Sequence, residues 1–141
     1  MAEFFENHSG PEVAALSALL AALIALTIYQ RNQFNAASAS FRAAFSQSLT
    51  ALLHTDADTC SVLQAAFPAH EMAVLEFARH LSWFSRRRFL VAWRDYHQVN
   101  GIPFFEQYSR VVATGPGVLP REERRPLAIR RIEILLAYAK P

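Results

Sequence analysis

The chain has 141 residues, of which 52% are hydrophobic and 18% are charged, and its formal net charge is +2. This composition is too apolar for a disordered chain or a nucleic-acid-binding tail, and the length suits one domain. A single cysteine excludes a disulfide framework and a metal site built from several thiolates. Only four glycines, together with abundant alanine, favour an all-α fold.

A membrane helix is predicted over residues 13–29, which read VAALSALLAALIALTIY and contain no charge. As a helix this segment spans about 25 Å, the short end of what a bilayer core of about 30 Å accepts. Residues 1–12 form a short acidic tail ahead of it, and residues 30–141 hold all 14 Lys and Arg residues. The sequence therefore predicts three parts, namely the tail, a transmembrane helix and a helical domain.

The apolar segment has two other interpretations. A cleaved signal peptide would have a basic start, whereas this one is acidic, and the Ala37-Ser38-Ala39 tripeptide lies too far beyond the apolar run. The alternative that stays open is a soluble all-α oligomeric protein with residues 13–29 buried in its core.

The distribution of arginine predicts the orientation of the membrane helix. No Lys or Arg precedes the segment, and Arg31 and Arg42 follow it. Basic residues close to a membrane helix favour the cytoplasmic side. We therefore expect a protein of the bacterial inner membrane, with its N-terminus outside and residues 30–141 in the cytoplasm.

Alanines on one face of the membrane helix form a candidate association face, consisting of Ala14, Ala18, Ala21, Ala22 and Ala25. Small residues at this spacing allow close backbone approach between membrane helices. The face predicts a homodimer or a membrane-protein partner. The competing explanation is that alanine is simply common in this chain.

The first cytoplasmic helix is predicted to continue from the membrane helix to about Leu53. Its apolar face comprises Phe34, Phe41, Phe45, Leu49 and Leu52. Asp56 or Asp58 should cap a short second helix that ends at Phe67.

Pro68 is predicted to start the next helix, because proline is tolerated in a first turn. One face of that helix would carry Val74, Phe77, Leu81 and Phe84. Ser85 is then the expected N-cap of a helix with a core face of Phe89, Ala92, Trp93 and Tyr96.

The C-terminal part is predicted to hold a shorter helix over residues 104–113, a loop at residues 115–117 and a final helix over residues 125–139. The final helix would bury Ile129, Ile132, Leu136 and Ala139. Together these elements predict an all-α protein whose single-pass N-terminal helix continues into a helical bundle.

No catalytic, cofactor or metal site is evident. His70-Glu71 with His80 lacks the i, i+4 histidine spacing of a zinc site, so these are expected to be ordinary residues of a first helical turn. Cys60 could act as a nucleophile beside a histidine, but a small core residue is the expectation. We expect a protein that is not an enzyme.

The densest charge run is Arg86-Arg87-Arg88. It could contact anionic lipid headgroups, because each basic residue near an acidic leaflet contributes about 1 kcal/mol. A solvated, salt-bridged surface is the competing and favoured interpretation. Nucleic acid is an unlikely partner, because the aromatic residues fall on predicted core faces rather than among the arginines.

Three strings carry a resemblance to a known group: residues 34–42 (FNAASASFR), 89–96 (FLVAWRDY) and 132–139 (IEILLAYA). Together they resemble small bacterial proteins with one N-terminal membrane helix and a helical cytoplasmic domain. The resemblance implies this architecture, and because the group has no assigned activity, it implies no site residues.

Overall fold

The computed structural model describes residues 10–99, 102–103 and 121–140. These residues form four helices, α1 (Pro11–His54), α2 (Thr59–Ala78), α3 (Trp83–His97) and α4 (Arg121–Ala137). A two-residue antiparallel pair follows α3, with β1 (Gln98–Val99) against β2 (Ile102–Pro103). The all-α prediction is confirmed. The helix expected over residues 104–113 and the loop at residues 115–117 lie outside the described residues.

The chain divides between Phe34 and Asn35 into two compact units. In the first unit, the described part of α1 is exposed from residue 13 to residue 33. α1 ends at His54, close to the predicted Leu53. The second unit contains the remaining part of α1 and the other described elements.

The core of the second unit is rich in aromatic side chains. The rings of Phe41 and Phe77 stack with their centroids 4.7 Å apart, and Phe89 meets Phe41 edge-on at 5.5 Å. Each helix contributes fully buried apolar residues, among them Phe41, Phe45 and Leu52 from α1, Leu63, Val74 and Phe77 from α2, Phe89 and Tyr96 from α3, and Ala128, Ile132 and Leu135 from α4. The predicted core faces of α1 and α3 are therefore largely confirmed.

Pro68 does not start a helix, and the predicted break after Phe67 is wrong. Pro68 lies inside α2, which runs unbroken from Thr59 to Ala78. A proline within a helix costs about 3 kcal/mol, because it removes a hydrogen bond and crowds the preceding turn. Buried Leu63 before it and buried Val74 after it anchor both halves of α2 in the same core. Tertiary packing thus outweighs the local preference.

Ser82, rather than the predicted Ser85, caps α3. The Ser82 hydroxyl accepts a hydrogen bond from the Ser85 backbone N–H at 3.4 Å, and the helix begins at Trp83. A turn at residues 79–80 separates α2 from α3. Val74 and Phe84 therefore lie on different helices, and the prediction that they share one helix face is wrong. Phe84 is 75% exposed.

The last helix starts four residues earlier than predicted and contains Pro126. Its buried face is correspondingly shifted: Leu135 is fully buried, whereas Ile129 and Leu136 are half-buried. The predicted Ile132 and Ala139 are both fully buried.

The loop between α1 and α2 is held from both sides. Asp58 caps α2, as predicted, by accepting a hydrogen bond from the Ser61 backbone N–H at 3.2 Å. Arg125 of α4 donates to the carbonyl oxygens of Thr55 and Ala57, both at 2.6 Å. The guanidinium thereby joins α4 to the start of the loop.

Replacing Trp93 by alanine should destabilise the second unit by about 3–5 kcal/mol, because the indole is 9% exposed and stacks on Tyr96 at 5.2 Å. The matched control is Trp83→Ala, which removes the same side chain where it is 66% exposed and should change stability by less than about 0.5 kcal/mol. The measurement is the free energy of unfolding of the full chain in denaturant, followed by circular dichroism. Equal losses in the two variants would contradict the assignment of Trp93 to the core.

Candidate functional site

A chain of buried polar side chains crosses the core of the second unit. The Ser48 hydroxyl lies 2.9 Å from His70 Nε2, and the Tyr96 hydroxyl lies 2.9 Å from His70 Nδ1. Ser48 belongs to α1, His70 to α2 and Tyr96 to α3, and all three are buried. Three helices are therefore joined through one imidazole, which makes this polar chain the candidate site.

The surroundings of His70 keep its ring neutral. Phe45 stacks on the imidazole, with ring centroids 3.9 Å apart and an angle of 12° between the planes. Burial lowers the pKa of His70 from 6.5 to about 4, and a hydrogen bond to the Ala44 carbonyl opposes this shift only in part. At neutral pH the ring is uncharged, with one nitrogen protonated and the other an acceptor.

The hydrogen bonds favour the tautomer with the proton on Nε2. In that form, Nε2–H donates to the Ser48 hydroxyl, while Nδ1 accepts from the Tyr96 hydroxyl. The Ser48 hydroxyl is then free to donate to the Phe45 carbonyl oxygen at 3.2 Å. With this tautomer, both ring nitrogens of His70 and the Ser48 hydroxyl have hydrogen-bond partners, as buried polar groups require.

The opposite tautomer would make Ser48 and His70 a nucleophile and its base, with Tyr96 orienting the imidazole. Ser48 also lines a cavity of about 360 Å³ that is walled mainly by alanines. Two features argue against acyl transfer. A pKa near 4 makes His70 a weak base at neutral pH, and Ser48 lies inside the C-terminal part of α1, where the backbone N–H groups are used within the helix. The arrangement is best suited to cross-linking helices.

The expectation that His70 belongs to a first helical turn is wrong, since α2 begins eleven residues earlier, at Thr59. Sequence reasoning also missed the connection of His70 with Ser48 and Tyr96. A signal for Ser48 does exist, because it lies between Phe45 and Leu52 at the spacing of the buried face of α1. A polar residue at such a position needs a partner from a neighbouring helix.

Among the described residues, no group of three His, Cys, Asp or Glu side chains is placed to hold a metal ion. Cys60 is half-buried at the start of α2. Burial raises the pKa of its thiol, and the nearby Asp58 carboxylate raises it further, against a smaller opposing effect of Arg124. The thiol is therefore protonated at neutral pH, which disfavours it as a nucleophile.

The arginines of the Arg86-Arg87-Arg88 run have two different environments. Arg86 turns back to the end of α2, where its Nε donates to the Ala78 carbonyl at 2.7 Å and its Nη2 donates to the Arg79 carbonyl at 3.1 Å. A cation at a helix C-terminus interacts favourably with the helix dipole. Arg87 and Arg88 instead line a groove between α3 and α4. Contact of the run with lipid headgroups stays a prediction.

The alanine face is exposed in the first unit, where Ala14, Ala18, Ala21, Ala22 and Ala25 are all accessible. On the surface of the second unit, an ion pair joins Arg94 and Asp95 at 3.6 Å, and both side chains are more than half exposed. Such an exposed pair contributes little to stability.

Comparison of the chain with protein-family models, with curated proteins and with solved structures finds no match.

Acidification should expose the role of His70. With a pKa of about 4 in the folded chain and 6.5 in the unfolded chain, the unfolded state binds more protons between these values. The stability contributed by neutral His70 is thus complete above pH 6.5 and is lost as the pH falls to 4, by up to about 3 kcal/mol. The measurement is the free energy of unfolding of the full chain across this pH range.

His70→Gln should flatten this pH dependence, because glutamine keeps hydrogen-bonding atoms but does not titrate. His80→Gln is the matched control, since His80 is exposed beyond the end of α2, and it should retain the slope of the parent. A His70→Gln chain that loses as much stability as the parent would assign the pH dependence to other groups.

Proposed function

We propose that this chain is a single-pass, membrane-anchored helical protein that acts by interaction or as a scaffold, without catalysis of its own. The observation that carries the proposal is the exposed apolar helix of the first unit. Its large apolar side chains between Val13 and Tyr29 are 52–67% exposed. The helix is long and apolar enough to cross a membrane, although the core helix of a soluble protein or a signal sequence would pass the same test.

The serine and threonine hydroxyls of the apolar segment form hydrogen bonds within the helix itself. Ser17 donates to the Ala14 carbonyl at 2.9 Å, and Thr27 donates to the Leu23 carbonyl at 2.8 Å. In a bilayer, unsatisfied polar groups cost several kcal/mol each. These internal hydrogen bonds reduce the cost of inserting the segment into lipid and so support a membrane anchor.

The second candidate is a soluble all-α oligomer in which residues 13–29 are buried. The described part of this chain leaves residues 13–33 exposed, so several copies would have to cover the segment. The same exposure is what a lipid-facing helix needs. We favour the membrane because lipid covers the apolar segment without requiring the chain to assemble with further copies.

The orientation proposed for the membrane helix rests on the positions of the arginines. Arg31 and Arg42 are both exposed and follow the apolar segment, whereas no Lys or Arg precedes it. We propose that the N-terminus lies outside the bacterial inner membrane and that the second unit lies in the cytoplasm.

The second unit is the proposed interaction domain. Its polar chain joins helices rather than presenting reactive groups, and a raised thiol pKa disfavours Cys60 as a nucleophile. A membrane-protein partner or a second copy of the chain, held through the alanine face, would give the anchor a role beyond attachment.

Alkaline carbonate should leave the full chain in the membrane pellet, because a spanning helix resists extraction whereas a peripheral protein is released. A fluorescent reporter placed after Pro141 should be active and a periplasm-dependent reporter at the same site inactive.

Recovery of the chain in the carbonate supernatant would favour the soluble oligomer. An active periplasmic reporter would instead leave the anchor standing and reverse its orientation. As a positive control, adding three lysines before Glu12 and replacing Arg31 and Arg42 by glutamine should make the orientation mixed.

Replacing Ala18 and Ala22 by leucine should weaken self-association of the anchor, because larger side chains keep two backbones apart. Insertion should be intact or improved, since leucine favours the membrane. A two-reporter association assay on residues 10–32 measures both properties.

The matched control replaces Leu16 and Leu23 by alanine on the opposite face, which should weaken insertion more than association. If the Ala18/Ala22 variant associates as well as the parent, any oligomer must be built by the second unit.

A further inference from the structure

A groove opens between α3 and α4 of the second unit, with a volume of about 630 Å³. We call it the α3–α4 groove. Its apolar surface comes mainly from Trp83, Phe84 and Val91 of α3 and from Ile134 of α4. A volume of this size lies within the range of about 300–1,000 Å³ that is typical of small-molecule pockets, which are also largely apolar.

The aromatic side chains at this groove are unusually accessible. Trp83 is 66% exposed and Phe84 is 75% exposed, and their rings meet edge-on with centroids 4.8 Å apart. Val91 and Ile134 are 43% and 44% exposed. Contiguous exposed apolar surface of this kind marks a binding site more often than a single exposed residue does.

The charge of the groove selects the class of ligand. Arg87, Arg88 and Arg131 line it together with one acid, Asp95, so its formal net charge is +2. Asp95 already pairs with Arg94, which lies outside the groove. Among the described residues, neither Arg87 nor Arg88 forms an ion pair. Guanidinium groups beside an apolar surface suit a ligand with an anionic head and an apolar body.

We propose that the α3–α4 groove binds one long-chain fatty acid. The acyl chain lies against Trp83, Phe84 and Ile134, and the carboxylate accepts hydrogen bonds from Arg87 and Arg88. The volume suits one acyl chain rather than the two chains of a membrane phospholipid. This binding goes beyond the proposed anchor and does not depend on it.

The test is quenching of Trp83 fluorescence by dibrominated stearate, with the full chain in nanodiscs of zwitterionic lipid. Dibrominated stearate should quench saturably, and the quenching should disappear in Trp83→Phe, which distinguishes Trp83 from the buried Trp93. Arg87→Gln with Arg88→Gln should raise the Kd about tenfold through loss of charge-assisted hydrogen bonds. The matched double variant Arg42→Gln with Arg79→Gln removes the same charge away from the groove, and its Kd should stay within about twofold of the parent.

Three outcomes would overturn the proposal. First, if dibrominated stearyl alcohol quenches as strongly as dibrominated stearate does, the arginines do not select for a carboxylate. Second, if brominated phosphatidylglycerol in the disc quenches Trp83 and dibrominated stearate does not quench it saturably, the α3–α4 groove contacts the bilayer surface instead of a fatty acid. Third, equal loss in the two arginine pairs would reduce the effect to net charge. If carbonate releases the chain from membranes, the same titration is made in buffer, so that the anchor and the groove fail separately.

Discussion

The imidazole of His70 holds α1, α2 and α3 of the second unit in one arrangement, because its two nitrogens reach Ser48 and Tyr96 at the same time. Apolar packing is tolerant of small slips, whereas hydrogen bonds of 2.9 Å are not. Leaving either nitrogen unpaired in the core would cost about 1–3 kcal/mol. An arrangement that separated the His70 imidazole from these partners would be destabilised by its unpaired nitrogens, so His70 fixes the register of the three helices.

The arginines show how backbone carbonyls at helix ends and turns are satisfied. Arg86 donates to two carbonyl oxygens at the end of α2, and Arg125 donates to two others in the loop before α2. Both residues belong to segments that are rich in arginine. Only their contacts distinguish a structural cation from one left for a ligand, such as Arg87 or Arg88.

The elements that depend on local pattern could be predicted from the sequence. The buried Phe41, Phe45 and Leu52 recur at helical spacing, and Asp58 is a strong N-cap. Predictions that depend on contacts between helices failed, as the continuous helix through Pro68 illustrates. His70 was not recognised as a cross-link, because no local rule relates it to residues 22 and 26 positions away along the chain.

Arg125 also has a consequence for the timing of synthesis. It closes the α1–α2 loop from a position 70 residues after Thr55. A ribosome adds about 5–20 residues per second, so about 4–14 seconds pass between synthesis of the loop and synthesis of the residue that fixes it. Throughout that interval the apolar part of α1, the proposed anchor, has already been made, while the α1–α2 loop lacks the Arg125 guanidinium. In the proposed membrane-anchored arrangement, the nascent chain would reach the membrane before the second unit is complete.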